Sequence, residues 1–397
     1  MSSVKFIKQI GEGQLGKGIN QFNLPFGVCL DNRGILVTTD ELNSRLKFYN
    51  EEGEVIRLLG SKGNKLDQFN RPGDCGFDAK RNQLLVTDYE NSRIQILDFV
   101  SGLVIGQIFD HLHLQHPVAL CVDEKSDHLY VSSKDNKQIL VFDLDGPDRK
   151  LLRVFGPQIL IGGEFETITP RGLFISATNL LYIADISNQR ILVLNKQGEF
   201  LHQLGGGVSN LFSNPTAVLV DEVANLLYVC DYNANAISCF VNEFQPGAVL
   251  LHKFGCSPPS QSNDEPQLFG PVRIAVDKRT GRLFVTSSSS HRILVYLVPE
   301  AHQARLTLLL PQKRQQQQQQ HSSRGVANQI KDTVVNMISS IKVSSSVGGG
   351  AAVGGVHVGG LGGPRAKEEQ GHCEQGEGDE EVIVEEDFIF IDISMIT

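Results

Sequence analysis

Between residues 69 and 109 the chain alternates short apolar runs with polar punctuation. The runs are 75–77 (CGF), 84–87 (LLVT), 94–97 (IQIL) and 103–109 (LVIGQIF), separated by the turn formers of 78–82, 88–92 and 98–102. Runs this short, β-branched and closely punctuated predict four antiparallel strands joined by tight turns. The pattern recurs along the chain. Motifs of the form F-x-x-P end at Pro25, Pro72 and Pro215, a copy with Leu114 in place of Phe ends at Pro117, and altered copies end at Pro170 and Pro271. Each proline precedes three strand-like runs, as in VCLD, ILVTTD and RLKFY of the first copy. A period near 45 residues with four strands per unit is the signature of a β-propeller.

The fourth strand decides how the ring closes. VIRLLG (55–60), VIGQIF (104–109), LLRVFG (151–156), FLHQLG (200–205) and LLHKFG (250–255) end the first five units. The sixth proline is followed by no such copy. The pattern stands instead at 6–11, as FIKQIG. Residues 6–11 are therefore expected to complete the last blade, removing the open sheet edge between first and last. The rival segment, 305–310 (RLTLLL), lacks the terminal glycine. The predicted fold is all-β: a six-bladed β-propeller of four-stranded antiparallel blades over 1–310, closed by its N-terminal strand and expected to be monomeric.

The turns between second and third strands read D-x-x-N-x-R: Asp40/Asn43/Arg45, Asp88/Asn91/Arg93 and Asp185/Asn188/Arg190. The sixth unit keeps His291-Arg292-Ile293. In register with the proline motif, these turns resemble the NHL-repeat family over about three quarters of the chain. Blades three, five and six depart from the pattern at Ser133 and Gln138, at Ala234 and Ala236, and at Ser287 and Ser290. Looser outer turns are expected there. A strand-end Asp can accept backbone N–H groups of its turn and pair with the following Arg, so the recurring charges read as structural.

Residues 311–397 read as a low-complexity tail. A glutamine run at 315–320 cannot bury apolar surface, and 344–363 is glycine-rich. Between them, 326–343 places Val326, Ile330, Val334, Met337, Ile338 and Ile341 on one helical face. The acidic strip 380–394, EEVIVEEDFIFIDIS, holds Phe388 and Ile391 at the spacing of an aromatic-x-x-aliphatic strand-addition motif.

Charge narrows the partners. The whole chain carries a formal −9. Residues 1–310 hold 29 Lys and Arg against 33 Asp and Glu, and the tail holds 7 against 12. A body so near neutrality offers no broad phosphate-binding surface. The seven cysteines lack zinc spacing and mostly sit in apolar strand runs, as in a reducing compartment. No apolar stretch is long enough to span a membrane, and a cytoplasmic location is expected.

The proline loops converge on one mouth of the channel, so Arg71, Asp74, His116, Arg171, Asn214 and Arg273 are the candidate binding residues. The resemblance implies a non-enzymatic scaffold for protein partners, bound at that face. It also implies a role as adaptor in ubiquitin-linked pathways, although the RING and B-box cysteines of tripartite-motif ligases are missing from this sequence. Single-stranded RNA is the alternative ligand, with Arg71, Arg171 and Arg273 as the positive patch; Phe26 is the lone aromatic beside a repeat proline. A metal-dependent hydrolase or lyase, as among some six-bladed relatives, is the other alternative. It would need convergent ligands, whereas the inner positions Cys29, Gly76, Cys121, Phe174, Leu219 and Ala275 are apolar. The cluster His111, His113 and His116 stands on a loop where no carboxylate partner is expected. No cofactor fingerprint is present, and neither a cofactor nor a metal is expected.

Overall fold

The computed structural model describes residues 4–242, 249–255, 266–301 and 303–304. The second blade shows how each unit is built. Its strands are Pro72–Asp78, Gln83–Asp88, Arg93–Asp98 and Val104–Phe109, paired in sequence order. Among the described residues there are six such antiparallel sheets. The innermost strands, from Pro25–Leu30 through Pro271–Val276, each lie against the next, and the last lies against the first. The molecule is a closed six-bladed propeller.

Closure comes from the N-terminus, as the strand pattern implied. Lys5–Ile10 pairs antiparallel with Arg292–Leu297, with Phe6 opposite Tyr296 and Ile10 opposite Ile293. The rival segment 305–310 lies outside the described residues, as do 326–343, 380–394, Phe388 and Ile391. An additional hairpin, Gln158–Ile161 with Glu164–Thr167, stands between blades three and four and accounts for the long interval between Pro117 and Pro170. Ile159 buries against blades three and four, and Glu166 ties the hairpin to Arg190 at 2.7 Å.

Middle strands are apolar at successive positions because both of their faces are covered. In Leu84-Leu85-Val86, Leu84 and Val86 pack with Val37 and Phe48 of blade one. Leu85 points the other way, onto Leu129 and Val131 of blade three. Successive strand residues face opposite sides, so each residue pair feeds two neighbouring cores. Six clusters of this kind fill the six blade–blade interfaces. Close approach at the hub requires glycine: a Cβ on Gly27 would stand 2.7 Å from the Gly73 carbonyl oxygen, and one on Gly172 would stand 2.6 Å from that of Thr216.

The strand-end Asp has the structural role its position suggests. Asp88 accepts the Asn70 N–H at 2.7 Å, Asn91 Nδ2 at 2.8 Å and Arg93 Nε at 2.7 Å. Asp40 and Asp185 repeat the arrangement. The departures lose less than expected. Ser133 accepts the Gln115 N–H and Ser287 that of Phe269, while Asp231 accepts those of Ser213 and Asn214. Each of these blades keeps the bond that staples its proline loop and gives up the Asp–Arg clamp.

Candidate functional site

Each repeat proline pairs across its sheet with the Asp or Ser that ends the second strand, as Pro72 with Asp88 and Pro117 with Ser133. The proline loops and the second-to-third strand turns therefore share one mouth. Hydroxyl side chains lock that mouth between blades. Thr286 of blade six donates to the Phe26 carbonyl of blade one at 2.8 Å, and Ser132 of blade three donates to that of Arg171 in blade four at 2.8 Å.

Arg71 and His116 sit on the rim. Both adopt left-handed backbone immediately before a proline, with φ of +57° and +48°. Both converge on Tyr89: the Arg71 guanidinium lies 5.3 Å from its ring centre and the His116 ring stacks at 4.8 Å. Lys134 Nζ donates to the Tyr89 hydroxyl at 2.9 Å. Arg71 is bound to Glu41 at 2.5 Å and to Glu90 at 3.1 Å, while His116 Nδ1 lies 2.6 Å from Asp135. Asn214 has its N–H on Asp231, and its buried side-chain oxygen accepts no hydrogen bond.

Asp74 and Arg273 lie deeper than loop residues would. The bulge after each proline carries the residue two positions on into the channel. There Arg273, 5% exposed, spans the hub. Its Nε meets Asp74 of blade two at 3.0 Å, Nη1 donates to the Thr216 carbonyl of blade five, and Nη2 donates to the Val118 carbonyl of blade three. Arg273, paired with Asp74, thus forms a crossbar that reaches the opposite blade three.

Below the crossbar lies a cavity of about 460 Å³, whose wall includes Cys29, Gly76, Cys121, Phe174, Leu219 and Ala275. Burial pushes the Cys121 thiol well up. Among the described residues no group of three His, Cys, Asp or Glu side chains is placed to hold a metal. Two of the three histidines of 111–116 do have carboxylate partners, contrary to expectation, but the three diverge: His111 stacks on Phe109, His113 sits 3.1 Å from Asp110, and His116 turns to Asp135 on the next turn of the blade.

Above the crossbar, Phe26 carries two guanidinium groups, that of Arg273 at 4.9 Å and that of Arg171 at 5.6 Å from its centre. Arg171 borders a mouth pocket of about 150 Å³ together with Arg71, Lys134, Val118 and Ile186. Burial first, and the charge of Arg273 second, lower the Arg171 pKa to about 10; it stays protonated at neutral pH.

Sequence reasoning about proline loops alone missed half of the mouth. The residues just after the strand-end Asp or Ser, among them Glu41, Tyr89, Lys134, Ile186 and Tyr232, share it. Their signal was the regular position after that Asp or Ser, once the proline-to-Asp pairing is known.

Fold and mouth together define a six-bladed β-propeller of NHL-like repeats with a cationic, aromatic-backed pocket at the proline-loop face. No protein-family model matches the chain. It is similar to the protein brain tumor of Drosophila melanogaster, 26% identical over 153 residues, covering 38% of this chain and 14% of that protein. It is also similar to NHL repeat-containing protein 2 of Gallus gallus, 28% identical over 213 residues, covering 44% of this chain and 29% of that protein. The chain thus spans less than a third of the curated relatives it matches. Among solved structures, a Bacteroides thetaiotaomicron protein of unknown function aligns with TM-score 0.55 and 14% identity, covering 74% of this chain and 75% of that one. Virginiamycin B lyase from Staphylococcus aureus aligns with TM-score 0.50 and 11% identity, covering 75% and 99%. At these identities the structural likeness concerns the fold alone. Among the described residues no helix is long and apolar enough to cross a membrane.

Proposed function

We propose that this chain is a non-enzymatic interaction platform that takes protein partners on its proline-loop mouth. The observation that carries the reading is the mouth pocket, where the buried Arg171 Nε has no hydrogen-bond partner among the described residues. Rigid rings leave their loops free to serve recognition. Single-stranded RNA fits less well. Tyr89, the aromatic ring at the pocket rim, already carries Arg71 and His116, and Glu41, Glu90 and Asp135 surround it.

Proximity labelling in cells tests this with three forms of the protein: unaltered, Lys134→Glu at the mouth, and Glu124→Lys on the opposite face. The mouth substitution should strip away a set of labelled proteins that the opposite-face control retains. Identical sets from all three forms would refute the platform reading. Loss of crosslinked RNA with no loss of protein would move the assignment to nucleic acid.

A further inference from the structure

We infer that the mouth pocket above Arg171 is the seat of one carboxylate, supplied by a glutamate or aspartate side chain of the protein partner. The inference rests on the platform reading and names the chemistry the platform would recognise. The most deeply buried arginines of this protein are matched with acids: Arg93 with Asp88, Arg190 with Asp185, and Arg273 with Asp74. Buried charge is ordinarily paired because desolvation is costly. Arg171 breaks the pattern. Its Nε is shut off from solvent with no hydrogen-bond partner, and its guanidinium forms no ion pair among the described residues. Glu41, which acts on it through space, is committed to Arg71 at 2.5 Å and 2.9 Å. Lys134, on the same pocket wall, bonds to the Tyr89 hydroxyl and not to an acid.

Arg171 and Lys134, neither paired with an acid among the described residues, therefore face one small space whose wall also holds the Arg71–Glu41 pair. A guanidinium presents parallel N–H groups that match the two oxygens of a carboxylate, and an ammonium beside it adds a third donor. The pocket of about 150 Å³ leaves room for a short aliphatic stem against Val118, Ile186 and Phe26. Glu41, Glu90 and Asp135 around the rim penalise a polyanion, so the surroundings favour one negative charge over a phosphodiester chain.

The test uses the full chain on an array of acetylated, amidated octapeptides of varied sequence. Retained peptides are resynthesised with each Glu changed to Gln and each Asp to Asn, and binding is measured by titration calorimetry. For each retained peptide, amidation at one acidic position should weaken binding about tenfold or more, the scale of a charge-assisted bond. The variant Arg171→Met should lose the same peptides, and Arg171→Lys should recover part of the binding. Arg171→Met should melt no lower than the unaltered protein, since an unmatched charge is being replaced by apolar volume. A lower melting temperature would assign Arg171 to the scaffold and overturn the inference. Peptides retained but indifferent to amidation would overturn the carboxylate seat while leaving the platform standing. Retention of no peptide, or of a uridine decamer in place of peptides, would overturn both.

Discussion

The strand-end clamp of blade two makes the sharpest stability prediction. Asp88 is fully buried and gathers the Asn70 N–H, Asn91 and Arg93 within 2.8 Å. Arg93, with 4% of its side chain exposed, would remain after Asp88→Ala with its bonds to the Asn64, Lys65 and Gln68 carbonyls and no anion. Removing one member of a buried ion pair costs about 3–5 kcal/mol, because the other charge stays buried. Blade six supplies the internal comparison. Ser287 fulfils the loop-stapling part alone, exchanging bonds with the Phe269 backbone. Ser287→Ala should cost about 1–2 kcal/mol, the scale of an orphaned N–H. The assay is urea unfolding followed by circular dichroism, because the chain has no Trp to report by fluorescence. Midpoints are to be compared at unchanged slope. Equal losses from the two substitutions, or a loss under about 1 kcal/mol for Asp88→Ala, would refute the clamp argument. The same Asp also holds the loop before Pro72, so Asp88→Ala should disturb the mouth at Arg71 as well.

Other consequences are open to measurement. Arg273→Met leaves Asp74 buried without its cation and should lower stability by about 3–5 kcal/mol, while the pair Asp74→Leu with Arg273→Met should recover much of that loss; calorimetric melting distinguishes them. Lys47 is fully buried, with Nζ on the Gln21 carbonyl and 4.0 Å from the Phe22 ring centre, and burial lowers its pKa from 10.5 to about 8. The unfolded chain then holds the proton more tightly than the folded one. Unfolding takes up a proton between about pH 8 and 10.5, so this lysine makes stability rise with pH across that window, and Lys47→Met should flatten the rise in urea melts. Deleting residues 1–11 exposes the edge of Arg292–Leu297; the product should cleave faster under limited proteolysis or self-associate on a sizing column, and an unchanged monomer would contradict closure by the N-terminal strand.

The blade architecture was legible because it depends on local pattern. Short β-branched runs, turn formers after each run and a proline at each repeat all act within a few residues of one another. The strand-end Asp was readable for the same reason: its partners Asn91 and Arg93 lie within five residues of Asp88. Closure by residues 6–11 was legible as well, since a missing fourth strand at one end was matched by a spare copy at the other.

What lies at the hub depended on the ring. Arg273 and Asp74 looked like loop residues because a bulge that turns a side chain into the channel leaves no mark in spacing, and because they are brought together from blades six and two only on closure. Tyr89 and Lys134 were missed because they stand one repeat apart along the chain and touch only when adjacent blades are in place. Periodicity settled the six four-stranded blades found among the described residues. The three-dimensional ring alone decided which charges find partners across it and that Arg171 does not among the described residues.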